Sequence, residues 1–303
     1  MESDSHRLSD RGRYPEGVDG IAARFISLRS GLRVRVVESG ARTGFPIVLV
    51  PGWGCGAWIF HETMLPLAAC GFRAIAVELR GHGFSEKPLS REQYTLESMR
   101  DHLIEILDAL EIDSAGIIGH SMGAVIAAQM TVKSPNRVKA LALAAPVGFA
   151  GVRGMALFRL ITPQVAVPFL SHLVTRTLIK VMLSVVYGSL RRASSEDIEE
   201  FYAPVKTPGG IMSLRHLLHE FDWDRPYPGI RTPVLTIFGS EDVLSPASDA
   251  ARYEPAEALI IEGAGHVLFD EAPDLVGSAL CKFFSAHCAP YISSYDDQDE
   301  RQS

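Results

Sequence analysis

The chain has 303 residues, 47% of them hydrophobic and 21% charged, with a formal net charge of −7 at pH 7. That balance excludes a disordered chain and a disulfide-dense small scaffold, and the acidic charge excludes a basic nucleic-acid-binding surface. The length fits two domain-sized units or one α/β domain with an insertion, and no apolar run is long enough to predict a membrane-spanning helix.

Residues 1–22 are rich in Ser, Asp, Arg and Gly and are expected to form a loose tail, without the apolar core of a secretory signal. From there, short apolar runs at 32–38, 47–50, 74–77, 115–118, 140–143, 234–238 and 258–261 read as strands, most of them buried on both faces. Helical spacing separates them. Met99, Leu103, Ile106, Leu107 and Leu110 form one apolar stripe, a second helix opens after Ser121, and a last one covers 273–284. This alternation predicts an α/β fold: a mostly parallel central sheet flanked by helices.

The alternation stops at 148–228, where helical spacing (Ile211, Leu214, Leu217, Leu218, Phe221) and several prolines predict an inserted helical cap. The division expected is therefore a tail (1–22), a core in two parts (23–147 and 229–288), the cap between them, and a polar tail (289–303). No Asp or Glu occurs in 114–195, while Arg153, Arg159, Arg176, Lys180, Arg191 and Arg192 do. The favoured reading is a lid whose apolar residues (Met155, Leu157, Phe158, Phe169, Leu170, Met182, Leu183) cover a pocket. Its basic residues would face water and pair with Glu196, Asp197, Glu199 and Glu200. A lid that meets anionic lipid is the rival, disfavoured because Pro163 and Pro168 interrupt any long interfacial helix.

Cys55, Cys70, Cys281 and Cys288 show no C-x-x-C pairing, and Cys281 and Cys288, seven apart on one helix, stand about 10 Å apart, too far to bond. Four free thiols in a reducing cytoplasm are expected.

The sharpest local signal is Gly119-His120-Ser121-Met122-Gly123, between a strand and an apolar helix. Flanking glycines leave room for a sharp turn that lifts the serine hydroxyl above the strand's carboxyl end. A serine needs a base to take its proton. His266, in Gly263-Ala264-Gly265-His266 after the strand at 258–261, is the best placed; His61 and His82 are minor rivals in loops, and His120 is turned away from its neighbour. The base needs a carboxylate to fix its tautomer. Asp242, in Gly239-Ser240-Glu241-Asp242, fills that role, with Glu241 expected in solvent.

With Pro51-Gly52-Trp53-Gly54 and the run from Glu78 to Ser85 (E-L-R-G-H-G-F-S), these pieces resemble the α/β-hydrolase superfamily from about residue 24 to 287. The resemblance implies the α/β-hydrolase fold with a cap, catalytic Ser121, Asp242 and His266, and an oxyanion hole from the Trp53 and Met122 N–H groups. Pro51 stands where relatives often carry His, and Glu78 where they usually carry Asp. Arg80 reads as half of a buried ion pair; Cys55 and Trp58 are candidates for the pocket wall.

A serine nucleophile points to an acyl-enzyme route, whereas relatives that open epoxides or displace halide use an aspartate at that place. Relatives that cleave carbon–carbon bonds commonly carry Asn before the serine and Arg before the acid turn, where this chain has His120 and Ser240. The expected activity is hydrolysis of carboxylic esters with small to medium acyl groups. Thioester, lactone and C–C hydrolysis come behind it, and a receptor or scaffold with little turnover is the reading from another class. A small-molecule ester is the expected partner, with no nucleic acid, no stable membrane association, no metal and no cofactor.

Overall fold

The computed structural model describes residues 14–147, 159–224, 229–253 and 257–299. Eight strands form one sheet: β1 (Ile21–Ser27), β2 (Arg33–Ser39), β3 (Pro46–Val50), β4 (Arg73–Val77), β5 (Ala115–His120), β6 (Val138–Ala144), β7 (Val234–Gly239) and β8 (Glu257–Ile261). Their order is β1-β2-β4-β3-β5-β6-β7-β8. The first two pairings are antiparallel and the other five parallel. The central strands β3 and β5 are buried throughout, as expected of strands covered on both faces. Strand β1 escaped the sequence reading because it lies at the edge with four consecutive exposed residues and no apolar run.

Helices α1 (His61–Ala69), α2 (Leu96–Ala109) and α3 (Met122–Lys133) follow β3, β4 and β5. The predicted stripe on α2 is buried, and its first turn is capped by Thr95, whose Oγ1 accepts the Ser98 N–H at 3.2 Å. The cap contributes α4 (Val167–Leu173), α5 (Arg176–Val186), α6 (Ser195–Val205) and α7 (Gly210–Glu220). After β8 come α8 (Leu268–Glu271) and α9 (Pro273–Asp299). Helix α9 outruns the predicted end at 284 and carries helical backbone into the expected polar tail, since propagating a helix already held by packing costs little. Residues 1–13 and 300–303 of the two expected tails lie outside the described residues.

Three expectations need correction. Residues from 14 on are not loose. Tyr14 is buried edge-on against Trp58, its N–H donates to Glu200 Oε1 at 3.0 Å, and its carbonyl accepts from Arg35. The four cysteines are not all free: Cys70, just past α1, is bonded to Cys281 on α9, while Cys55 and Cys288 are free and buried. Their 211-residue separation hides a Cα–Cα distance of 6.2 Å that only the packing of α1 on α9 creates. The cytoplasmic expectation loses its thiol support, because such bonds persist mainly in oxidising compartments. Finally, among the described residues Arg80 forms no ion pair; its guanidinium donates to Gln93 Oε1 and to Ser98 O and Oγ. The buried ion pair belongs to Glu78, 2.9 Å from Arg35, which also accepts the N–H groups of Ala57 and Phe84. Among the described residues no helix is long and apolar enough to cross a membrane.

The cap's apolar set divides. Ile179 and Leu183 of α5 are buried, but Phe169 of α4 and Leu178, Val181, Met182 and Val185 of α5 are exposed; the apolar arc of α5 is wider than the face it packs against its neighbours. Met155, Leu157, Phe158 and the Leu170 side chain lie outside the described residues. The predicted pairing with acids holds for Arg176 with Glu199 and Arg191 with Asp197.

Candidate active site

Parallel strands put their carboxyl ends on one edge of the sheet, so the segments after β5, β7 and β8 converge there. Ser121 follows β5 with φ 54° and ψ −117°, a left-handed conformation that a residue with a β-carbon adopts only when its surroundings impose it. Here the Ser121 N–H donates to Ala144 O on β6 at 2.9 Å, and α3 begins at once. Glycine is required on both sides. A β-carbon at Gly119 would lie 2.5 Å from Ala124 Cα, and one at Gly123 would strike Val50 O.

Ser121, Asp242 and His266 come together as the sequence predicted. His266 Nε2 is 2.9 Å from Ser121 Oγ, and His266 Nδ1 is 2.8 Å from Asp242 Oδ2. The pattern is that of a neutral imidazole whose Nδ1–H donates to the carboxylate, leaving Nε2 to accept the hydroxyl proton. All three residues are buried. Burial alone would raise the Asp242 carboxyl, but the His266 ring and the N–H groups of Ser245 and Leu244 (2.9 and 2.8 Å from Oδ1) outweigh it and hold it below the usual range. Glu241 is exposed, as expected, and also accepts the Ser189 N–H and Oγ–H of the cap at 2.8 and 2.9 Å.

The Trp53 loop abuts the elbow. A β-carbon at Gly52 would lie 2.9 Å from Ser121 Cβ. Met122 occupies the first position of α3, where a backbone N–H has no acceptor within the helix. The Trp53 indole donates to Leu214 O of α7 at 3.0 Å and joins this loop to the cap.

The rival histidines are engaged elsewhere: His61 Nδ1 with Trp58 O at 2.8 Å, and His82 Nδ1 with Arg80 O at 3.1 Å. Cys55 is a buried thiol pushed up to about 12 by desolvation, and Trp58 donates its indole N–H to Asp197 at 3.0 Å. His120 takes part in a way its position next to Ser121 did not reveal. Its Nε2 is 2.9 Å from the His266 carbonyl, and the two rings lie 5.0 Å apart. Burial pushes it down to about 3, so it stays neutral beside the His266 backbone.

A strained serine, a histidine and a carboxylate linked in series form the proton-relay arrangement of a hydrolytic enzyme. Relatives agree. The chain is 30% identical over 266 residues to the dihydrolipoyllysine-residue acetyltransferase component of the acetoin cleaving system of Pseudomonas putida, covering 85% of this chain and 68% of that protein. Over 127 residues it is 38% identical to 2-hydroxymuconate semialdehyde hydrolase of Pseudomonas sp. (strain CF600), covering 41% of this chain and 43% of that protein. A solved structure of the epoxide hydrolase CorEH without ligand superimposes with a TM-score of 0.76 at 24% identity, covering 88% of this chain and 99% of that one, a likeness of fold. The family model for the alpha/beta hydrolase fold spans residues 46–273, and with sheet order, elbow and cap in agreement the chain belongs to the α/β-hydrolase family.

Proposed function

We propose that this protein is a serine hydrolase that cleaves carboxylic esters of small to medium acyl groups through an acyl-enzyme. The observation that carries the reading is the chain of two hydrogen bonds, 2.8 and 2.9 Å, from Asp242 through His266 to Ser121. Ser121 Oγ attacks the ester carbonyl as its proton passes to His266 Nε2, and Asp242 stabilises the imidazolium that forms. The Trp53 and Met122 N–H groups receive the developing oxyanion, each donor worth about 3–4 kcal/mol in the transition state. The imidazolium then protonates the departing alkoxide, and water repeats the sequence on the acyl-enzyme. A serine at the elbow supports an acyl ester rather than the alkyl ester that epoxide opening needs.

A burst and steady turnover of p-nitrophenyl butyrate, with fluorophosphonate labelling confined to Ser121, is the expected result. An acyl panel from acetyl to palmitoyl would then set the length preference. Binding without turnover would sink the reading in favour of a receptor, and labelling that persists in Ser121→Ala would sink the nucleophile. A second reading, hydrolysis of a carbon–carbon bond in a vinylogous diketone, is favoured by the 38% identity to 2-hydroxymuconate semialdehyde hydrolase. It uses the same triad and would show as turnover of that semialdehyde exceeding that of any ester.

A further inference from the structure

The loop that carries His266 is held by a side chain outside the triad. Glu271, the last residue of α8, is buried, yet among the described residues no cation meets its carboxylate. It is surrounded by backbone donors. Gly265 N–H lies 3.0 and 3.1 Å from its two oxygens, Val267 N–H 3.2 Å from Oε1, and Gly188 N–H 2.6 Å from Oε2. Two of these amides flank His266 on either side; the third belongs to the segment that leaves cap helix α5. That segment also touches the histidine loop directly. The His266 N–H donates to Val186 O at 2.7 Å, and Ser189 N–H donates to Gly263 O at 2.9 Å. At Gly188 and Gly265 there is no room for a β-carbon against the opposite backbone.

A buried carboxylate is expensive unless its lone pairs are filled, and here backbone amides alone fill them. Such an arrangement adds amide contacts on both sides of His266 to the bonds that hold the glycine-rich loop at Gly263, Ala264 and His266. We infer that Glu271 is a positioning residue for the base: it clamps the backbone on both sides of His266 and couples that clamp to the cap segment at Gly188. This rests on His266 being the base of the proposed hydrolase. Burial raises the Glu271 carboxyl and the three amides oppose that rise, consistent with a group chosen for its acceptor geometry rather than for an ion pair.

The neighbouring Asp270 provides the control. It is buried on the same short helix, but its carboxylate meets side chains, Tyr187 Oη and Arg191 of the cap and His61 Nε2 at 3.9 Å, and among the described residues no amide next to His266. Glu271→Met keeps the bulk and removes every acceptor. It should lower kcat about 100-fold with KM within twofold, and slow fluorophosphonate labelling of Ser121 in parallel, the size expected for a misplacement of about 1 Å. Glu271→Gln, which keeps one acceptor oxygen, should recover about tenfold of that loss. Asp270→Asn should lower the melting temperature at least as much as Glu271→Met while kcat stays within threefold.

The low-field Nδ1–H proton resonance of His266 reads the same geometry without any substrate. It should be present in the wild type and Asp270→Asn, and shifted or exchange-broadened in Glu271→Met. Unchanged kcat and resonance in a folded Glu271→Met, or an equal loss of kcat in Asp270→Asn, would overturn the inference. If Glu271→Met does not fold, Glu271→Gln decides: an unchanged kcat overturns it, a tenfold loss at constant KM supports it. If the wild type turns over no ester, the proposed function fails, and the resonance alone decides for Glu271; its absence from the wild type counts against the clamp.

Discussion

At the carboxyl edge of the sheet, Gly119, Gly123 and Gly239 each lack space for a β-carbon because another stretch of backbone lies against them. In the cap, a single carboxylate, Asp197, holds the Trp58 indole, the Arg191 guanidinium and the Ser194 amide. Around Ser121 the geometry is therefore written in main-chain contacts that no rotamer change can loosen. The cap instead buries only one face of α5; apart from the main-chain contacts of 186–190 with the histidine loop, side chains stitch it to the core: Arg191 and Tyr187 to Asp270, Glu200 to the Tyr14 N–H, and Trp53 to Leu214 O. Close backbone contact gives precision at the site. Buried polar pairs give the cap one specific seat, at the risk of a large loss if one partner is removed.

The largest effects should fall on the sheet edge. Ser121→Ala and His266→Ala should each reduce ester turnover by about 10⁴-fold or more with little change in melting temperature, and Asp242→Asn by about 10⁴-fold through the wrong imidazole tautomer. Glu241→Gln, which touches only cap Ser189, should keep kcat within threefold; a worse loss than in Asp242→Asn would reassign the acid. Gly123→Ala sharpens the comparison from the backbone side. Its new methyl would meet the Val50 carbonyl, so urea unfolding should show a loss of about 3 kcal/mol or more, along with activity.

Asp197→Ala tests the cap. The carboxylate is fully buried but Arg191 is about one-third exposed (32%), so the loss should be the smaller figure of about 2–3 kcal/mol. Hydrogen exchange should quicken in α5 and α6 while β5 keeps its protection; equal loosening of β5 would erase the distinction drawn between the two regions.

The smallest effect depends on pH. Glu200 of α6 is raised to about 7, chiefly by burial, against the opposing pull of the Tyr14 N–H and Arg35. A carboxyl raised on folding adds stability below its unfolded value near 4.3, and that contribution is lost as the pH rises through about 7. Glu200→Gln keeps the acceptor for Tyr14 N–H and carries no charge, so it should be more stable than the wild type at pH 8 by about 1–2 kcal/mol. The difference should shrink towards pH 5. A Gln variant that is less stable at pH 8 would mean the buried charge is itself a support of the cap.

Local pattern determined much of this protein. Runs such as Ile47-Val48-Leu49-Val50 are long enough in apolar residues to declare a buried strand, and the structure extends them by one to three residues, shifting only the run at 32–38 by one. Ser121, Asp242 and His266 were legible because each sits just past such a strand, and parallel strands must bring their carboxyl ends together whatever the loops do. The amphipathic stripe of α2 was legible for the same reason: its period is a property of consecutive residues.

Tertiary structure decided what depends on residues far apart in the chain. Edge strand β1 has no apolar run and exists because β2 offers it a pairing partner. The bond between Cys70 and Cys281 needs α1 and α9 side by side, and Arg80 is placed against Gln93 and Ser98 while Glu78 pairs with Arg35 of β2. Glu271 had a faint signal, the second of two acids closing the apolar run Val267-Leu268-Phe269 after His266, but its meaning lay in amides of three separate positions, one of them 83 residues away in the cap. A strand or helix is specified by neighbours in sequence. A buried polar group is satisfied by whichever donors the finished fold brings to it, and no local period records which those are.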